Sequence, residues 1–489
     1  MRRVPWTVGL VALAAGLRLV RVGAWDIGLD EAYSALVAAR PLADLVAFVA
    51  RDDFHPPLYY LFLHLWQTVA GSDEFWLRFP SVVFGSLAVW VISRLGTELA
   101  DARTGFVAGL LAALSPLHIF HAQDLRMYAL LLLLASGALL FFVRGLRTGR
   151  TGDWVLHAGF LALALYTHYG AYLLVAGETL AVAWLWATRG PLPVRSWMAS
   201  AGIALLTFLP WSHVLWQHLR RTAPPQAADG ILIPIQQVAY ALVAFTSDFL
   251  PPGQPVLKAA VLLVSFAAAL SGARTLRERP ASAVVLMCTS LGALGLAALV
   301  GLRLQTIAVG THVLIPRTLL VASVGYLVLL AAAGTRLRPR PLGWGLLGLL
   351  VVLNLAALPR VYLGPRPLWG PWRAVAAYVA ERIREGDGIV VVSGHWARPF
   401  DFYFGPRAKP VRIVRYYGRQ DLGRVRDLVA HSSRVWLVLR QPEAVDPHGR
   451  VVRLLDSVAR SPSQFSFPAG TRILLFTLAH RSQPIDTRR

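Results

Sequence analysis

Apolar residues along this chain fall in solid blocks rather than in stripes. Eleven blocks, near residues 4–24, 79–97, 104–122, 127–143, 154–169, 170–188, 197–216, 256–272, 281–302, 316–334 and 342–361, approach the length that crosses about 30 Å of hydrocarbon. They predict about eleven transmembrane helices. A further block, PLYYLFLHLWQTVAG at 57–71, is shorter and opens on two prolines, so it predicts a helix along the membrane surface. From residue 362 the pattern changes. PWRAVAAYVAERIREGD reads as an amphipathic helix, and GIVVVSG, PVRIVRYY, RVWLVLR and TRILLFTLA read as short strands between helical stretches. The expected architecture is a membrane domain over 1–361, with a first external loop at 25–78 and another at 219–255, followed by a small soluble α/β domain over 362–489.

Composition agrees with lipid as the solvent. The chain is 56% hydrophobic and 15% charged, with a mean hydropathy of +0.54, values outside the range of soluble domains. A net charge of +22 would suggest nucleic acid in a soluble protein. Here the arginines cluster in short loops between apolar blocks, where they set topology, so no nucleic-acid partner is expected. The single cysteine, Cys288, excludes an intrachain disulfide and a thiolate metal cluster. The opening MRRVPWTVGLVALAAG resembles a signal peptide but reads as a retained first span.

Loop charge orders the spans. With 57–71 on the surface, alternate loops collect Arg94 and Arg103; Arg144, Arg147 and Arg150; Arg189 and Arg195; Arg274, Arg277 and Arg279; and Arg336, Arg338 and Arg340. All five sets then share the cytoplasmic side with Arg2 and Arg3. The amino terminus is expected inside, and the carboxyl-terminal domain outside.

On that parity the polar motifs gather on the extracytoplasmic face. They are Asp30-Glu31-Ala32-Tyr33, Arg51-Asp52-Asp53-Phe54-His55-Pro56-Pro57-Leu58-Tyr59-Tyr60, Leu77-Arg78-Phe79-Pro80-Ser81, His121-Ala122-Gln123-Asp124-Leu125-Arg126-Met127-Tyr128, Tyr166-Thr167-His168-Tyr169, and His312 with Arg317. Each has a plainer reading. Asp30 or Glu31 could cap the following helix, His55-Pro56-Pro57 could only stiffen the start of a surface helix, and Arg78, Arg126 and Arg317 could snorkel at span ends. Asp124 and Arg126 could pair as structural glue, and His168 could be a satisfied interface histidine. For Arg18 and Arg21 the choice lies between headgroup contact and a donor phosphate. As a set, carboxylates and fixed cations at a membrane surface suit departure of a phosphate from a lipid carrier, because guanidinium groups hold the growing charge.

The order and spacing of these motifs resemble glycosyltransferase family 39 of the GT-C superfamily, in its bacterial branch with the RgtA/B/C/D-like domain. The family includes protein O-mannosyltransferases and enzymes that place aminoarabinose on lipid A. The resemblance covers roughly residues 1–400. It implies a membrane enzyme that moves a hexose or pentose from a polyprenyl-phosphate donor to an extracytoplasmic hydroxyl of a glycan, lipid or protein, with inversion. It gives Asp30 the role of base, with Glu31 as the second acid of the motif. It points to Arg78, Arg126, Arg317 and Tyr128 for the donor phosphate and lipid, and to His55, Tyr59, Asp124, His168 and Tyr169 for the substrate. A divalent cation, Mg or Mn, held by Asp53 and His55 stays open, and no organic cofactor is expected. Two positions depart from the family pattern. Asp124 stands where glutamate is common, and Thr318 follows Arg317 where tyrosine is common. The rival reading, a transporter or flippase of lipid-linked saccharide, expects polar residues near mid-span and inverted repeats.

Overall fold

The computed structural model describes residues 6–190, 192–221, 233–247, 254–304, 315–364, 370–392, 397–405, 411–459 and 461–478. They form two compact units, one of 1–22 with 37–365 and one of 23–36 with 366–489. The chain therefore leaves the first unit after Val22 and returns to it at Val37.

The first unit is helical. Its amino-terminal part contains α1 (Trp6–Leu19), and after α2 (Leu29–Ala38), whose first turns belong to the second unit, come α3 (Leu42–Asp52), α4 (Leu58–Ala70), α5 (Glu74–Leu99), α6 (Ala102–Leu114) and α7 (Pro116–Ala122). There follow α8 (Tyr128–Thr148), α9 (Thr151–Thr167), α10 (Tyr172–Arg189), α11 (Val194–Arg221), α12 (Ile233–Ser247), α13 (Pro255–Thr275), α14 (Pro280–Met287), α15 (Ala293–Leu304), α16 (Leu320–Arg336) and α17 (Arg340–Leu363). Among the described residues, seven helices are long and apolar enough to cross a membrane, or eight if the bent pair α6–α7 is one span. Helices α1 and α16 are apolar but shorter. At 13 residues, α4 rises only about 20 Å, as its short apolar block predicted.

Two expectations change. The block at 104–122 is not one straight span but breaks by 60° between α6 and α7. The break has a local cause: Pro116 has no N–H to give the carbonyl of Ala112, and its ring clashes with a continuing helix. Arg18, fully buried, fills the vacancy, donating from Nη2 to Ala112 O at 3.1 Å and from Nη1 to Ala113 O at 3.3 Å. Arg18 is thus a helix cap inside the bundle and neither a headgroup contact nor a phosphate ligand. The second change is at 219–255, which was expected to be an external loop. Residues 233–247 are instead α12, with Ala241 to Phe245 buried and Thr246 O accepting from Asn354 Nδ2 at 2.9 Å. Pro224-Pro225 and Pro251-Pro252 lie outside the described residues, as does His312.

Several loop arginines have carboxylate partners. Arg147 meets Glu98 at 2.7 Å, Arg144 meets Asp153 at 3.2 Å, and Arg336 meets Asp101 at 2.6 Å. These residues tie neighbouring helix ends together.

The second unit contains a five-stranded sheet in the order β2-β1-β3-β5-β4. Its elements are α18 (Trp372–Arg382), β1 (Asp387–Val392), α19 (Ala397–Phe404), β2 (Arg412–Tyr416), α20 (Leu422–Ala430), β3 (Arg434–Leu439), α21 (Arg450–Asp456), β4 (Ser463–Phe467) and β5 (Thr471–Thr477). Strands β1, β2 and β3 run parallel, while β5 opposes β3 and β4 opposes β5. β1 is buried throughout, as the centre of a parallel sheet requires. Four of the strands coincide with β-branched runs. β4, SQFSF, has no β-branched residue and lies at an edge, so its sequence carries little strand signal.

Helix contacts in the first unit depend on glycine. A Cβ on Gly272 of α13 would collide with the carbonyl of Leu329 on α16, the close backbone approach typical of membrane helix pairs. Gly272→Leu should lower stability by about 1–3 kcal/mol, whereas Gly202→Ala, facing open space, should not. Thermal unfolding of the detergent-extracted chain checks both.

Candidate active site

The first unit brings together residues from four segments that are distant in sequence. The turn between α3 and α4 supplies Asp53 and His55. Buried Asp53 is the C-cap of α3 in extended conformation, and its Oδ1 accepts from the His55 backbone N–H at 3.1 Å and lies 2.9 Å from His55 Nδ1. That partner fixes the proton on Nδ1 and leaves Nε2 as the acceptor nitrogen. His55 Nε2 lies 3.5 Å from Arg126 Nη2. Pro56-Pro57 then hold the chain into α4, where Tyr59 and Tyr60 are buried side by side with ring centroids 6.1 Å apart.

The turn between α7 and α8 supplies Asp124 and Arg126, both buried, and Tyr128 opens α8. The turn between α9 and α10 supplies His168 and Tyr169. His168 stands 5.5 Å from His55 and 5.7 Å from Tyr128 between ring centroids. Its Nδ1 accepts from Gly170 N–H at 2.8 Å, so a neutral ring carries its proton on Nε2 as a donor. Tyr169 OH accepts from Trp211 Nε1 at 3.2 Å, and its ring meets Phe54 edge-on at 5.9 Å. The turn before α16 supplies Arg317, half-buried, its guanidinium 5.7 Å from the Tyr128 ring centroid.

Two residues have roles the sequence did not assign. His121, quoted in the motif but given no role, packs on Tyr128 at 4.7 Å and reaches Asp124 at 4.0 Å. It lies in the last turn of α7, and Asp124 lies in the turn that follows. Gln123 Nε2 donates to Arg18 O at 3.0 Å and Val20 O at 2.7 Å. Arg78, fully buried on α5, donates from Nη1 to Val22 O at 2.9 Å. Gln123 and Arg78 therefore both grip the end of α1, where the chain passes into the segment 23–36.

That segment carries Asp30 and Glu31 in the first turn of α2, within the second unit. Buried Glu31 accepts from Gly28 N–H at 2.9 Å, the half of a capping box that runs from the third helical residue back to the cap residue. Asp30 is half-buried. In the same unit the segment is fixed by Ile27 N–H to Tyr403 OH at 2.7 Å and Arg373 N–H to Asp26 Oδ2 at 2.9 Å, and Arg398 lies over the Tyr33 ring at 4.4 Å.

Electrostatics in the first-unit cluster are balanced. Arg126 and Arg317 are opposed by Asp53 and Asp124, so the histidines decide the remainder. Burial opposes ionisation of Asp53, but hydrogen bonds from His55 and Tyr60 and the Arg126 charge outweigh it and hold the carboxyl at about 2. Burial, with the Arg126 and Arg317 charges, pushes His55 below the ordinary histidine value against the pull of Asp53. His168 is pushed well below that value by burial and by His55, Arg126 and Arg317. Both rings are neutral near pH 7. Two guanidinium groups and the His168 N–H can then donate to an anion at little cost in desolvated charge. Among the described residues, no group of three His, Cys, Asp or Glu side chains could hold a metal ion. Asp53 and His55 are bonded to each other.

These shifts imply acid lability. The unfolded chain takes up a proton at His168 near the ordinary pKa of about 6.5, whereas the folded chain resists it. Stability from this group is therefore full above that pH and declines as the pH falls below it. The contribution of Asp53 persists to lower pH and is lost between about 4 and about 2. The thermal midpoint should fall from pH 7.5 to pH 5.5. His168→Asn, which keeps an acceptor for Gly170 N–H, should shrink that fall, as a differential melting series would show.

Residues 54–216 match the family model of dolichyl-phosphate-mannose-protein mannosyltransferase, a third of the chain that includes His55, Arg78, Asp124, Arg126 and His168. No curated protein matches. Among solved structures, ArnT from Cupriavidus metallidurans in the apo state is 14% identical with a TM-score of 0.65, over 96% of this chain and 97% of that one. ArnT bound to undecaprenyl phosphate gives 14% and 0.63, over 96% and 98%. The archaeal oligosaccharyltransferase AglB from Archaeoglobus fulgidus, in complex with an inhibitory peptide and a dolichol-phosphate, gives 11% and 0.53, over 99% and 75%. The chain thus shares the fold of ArnT and of AglB, and a third of it matches the dolichyl-phosphate-mannose-protein mannosyltransferase family.

Proposed function

We propose that this protein is a membrane glycosyltransferase that moves a sugar from a polyprenyl-phosphate donor to an extracytoplasmic hydroxyl, with its amino terminus in the cytoplasm. The observation that carries the reading is the buried cluster of Arg126, Arg317 and the neutral donor His168, a set suited to a phosphate. The match of residues 54–216, which include Arg126 and His168, to the dolichyl-phosphate-mannose-protein mannosyltransferase model agrees with it.

In this reading Asp30 removes the proton of the acceptor hydroxyl as its oxygen attacks the anomeric carbon. The bond from that carbon to the phosphate oxygen breaks, its electron pair stays on the phosphate, and the anomeric centre inverts. Such a base contributes roughly 10²–10⁴ in rate. The phosphate diester of the donor becomes a monoester and gains charge, which Arg126 and Arg317 hold and the His168 Nε2–H donates to. Because that leaving group is acidic, no general acid is needed. His55, its Nδ1 tied to Asp53, accepts from Arg126 and fixes the guanidinium plane. Arg78 supports the site indirectly by holding the end of α1, while Tyr128 backs Arg317.

Glu31 and Asp30 divide in role. Glu31 secures the first turn of α2, and Asp30 is the carboxylate assigned to the substrate. Asp30→Asn should fold and lose transfer by 10²-fold or more, measured with a labelled polyprenyl-phosphate sugar and the full chain in nanodiscs. If turnover survives, the base is not Asp30, and loss in His55→Gln would transfer the role to the Asp53–His55 dyad. Glu31→Gln should keep most turnover and lower the thermal midpoint modestly. Arg126→Gln should slow transfer through the donor KM, kcat or both, and unchanged kinetics would remove it from phosphate binding.

A further inference from the structure

The α/β unit has a feature the transfer reading does not use. β2 is an edge strand, and between it and α20 lies an open cleft of about 420 Å³ lined by Arg412, Val414, Gly423, Arg424, Asp427 and Leu428. That volume lies within the range of small-ligand sites, about 300–1,000 Å³. Leu428 belongs to the core of the unit, half-buried Val414 packs against that core, and together they give the cleft an apolar floor. Arg412 and Arg424 form its walls. Residues 412–427 carry five arginines, at 412, 415, 419, 424 and 426, against Asp421 and Asp427.

The arginines are not fully neutralised within the fold. Arg415 is held bidentately by Asp401 at 2.7 and 2.9 Å, which removes it from the count. Arg412 reaches Asp427 only at 3.7 Å and Arg424 reaches Asp421 at 3.6 Å, with both arginines mostly exposed. Pairs this long and wet contribute little, so both guanidinium groups keep donors for a ligand. Arg419 and Arg426 are exposed beside them.

We propose that this cleft binds a phosphate-bearing glycan. The apolar floor suits the C–H face of a sugar ring, and the exposed edge of β2 offers backbone N–H and C=O groups to sugar hydroxyls. The flanking guanidinium groups suit phosphodiesters on either side. Concavity decides against a lipid surface, because a bilayer presents headgroups to a convex or flat face and cannot fill a cleft with a buried apolar floor. Asp427 tempers the site, favouring a polymer that meets several arginines over an isolated anion. Resting on the glycosyl-transfer reading, the cleft makes an anionic envelope glycan the acceptor. The binding itself does not depend on that reading.

The test uses the full chain in phosphatidylcholine nanodiscs with no donor present. The probe is a synthetic tetrasaccharide of hexoses joined by phosphodiesters, with the uncharged tetrasaccharide as control. Thermophoresis should show binding of the charged probe only, weakened by salt. Arg412→Gln with Arg424→Gln should weaken it about tenfold. Asp427→Asn, which removes the lining carboxylate, should tighten it, a gain that misfolding cannot mimic. Asp30→Asn should bind the probe unchanged, so failure of the transfer reading and failure of this one are distinguishable. Equal affinity for the uncharged probe, or no response to the double substitution, would overturn the proposal. So would full displacement by inorganic phosphate at the probe's own concentration, or loss of probe binding when the nanodisc lipid is changed to phosphatidylglycerol, which would make the ligand a free anion or a headgroup.

Discussion

Pro116 costs α6 the hydrogen bond to Ala112 O, and the site in the helical unit is arranged around how that loss is met. A carbonyl left open inside a membrane bundle costs several kcal/mol, so the break must be capped. Arg18 caps it from α1 with two guanidinium hydrogen bonds. The 60° bend then turns α7 aside and places His121, Gln123, Asp124 and Arg126 in one turn and a half of chain. Gln123 closes the circuit by gripping the end of α1 that carries Arg18. The same residues that satisfy the broken helix thus set the position of the first guanidinium of the site.

Charge inside the cluster follows from the same economy of burial. Two carboxylates balance two guanidinium groups, and the histidines stay neutral because a third and fourth positive charge in a buried space would be costly. His55 and His168 differ in which nitrogen is committed. Asp53 accepts from the Nδ1–H of His55, while Gly170 N–H points at Nδ1 of His168. One ring therefore offers a lone pair to Arg126 and the other keeps an Nε2–H donor. In the proposed reading, a phosphate entering this cluster would meet donors held by the fold and pay little reorganisation.

The fold was largely legible in the sequence. Solid apolar blocks have few alternatives to membrane helices, and the β-branched runs of the soluble region gave four of its five strands. What was not legible has a common physical cause, namely polar groups whose partners are set by tertiary approach. Arg18 looked like an interfacial arginine because nothing in its neighbours reveals the open carbonyl of Ala112. Residues 233–247 looked like a loop because their helix is defined by burial against other helices. β4 has only Phe465 and Phe467 to mark it. In the site, His55, Asp124, Arg126, His168 and Arg317 were singled out by residue type and spacing. The hydrogen-bond directions at His55 and His168 could be read only from the fold.

The Asp30-Glu31 pair shows how one dipeptide serves two needs. A helix beginning at Leu29 must satisfy its first N–H groups, and Glu31 meets the cap N–H of Gly28 while its side chain is buried. That commitment takes the longer acid out of contact with solvent and leaves Asp30, one position earlier on the same turn, half-buried. The order of the two acids is therefore not interchangeable. An aspartate at position 31 is one methylene shorter than Glu31 and falls short of the Gly28 N–H, and a carboxylate at position 30 lies one residue too early on the turn to make the same reach.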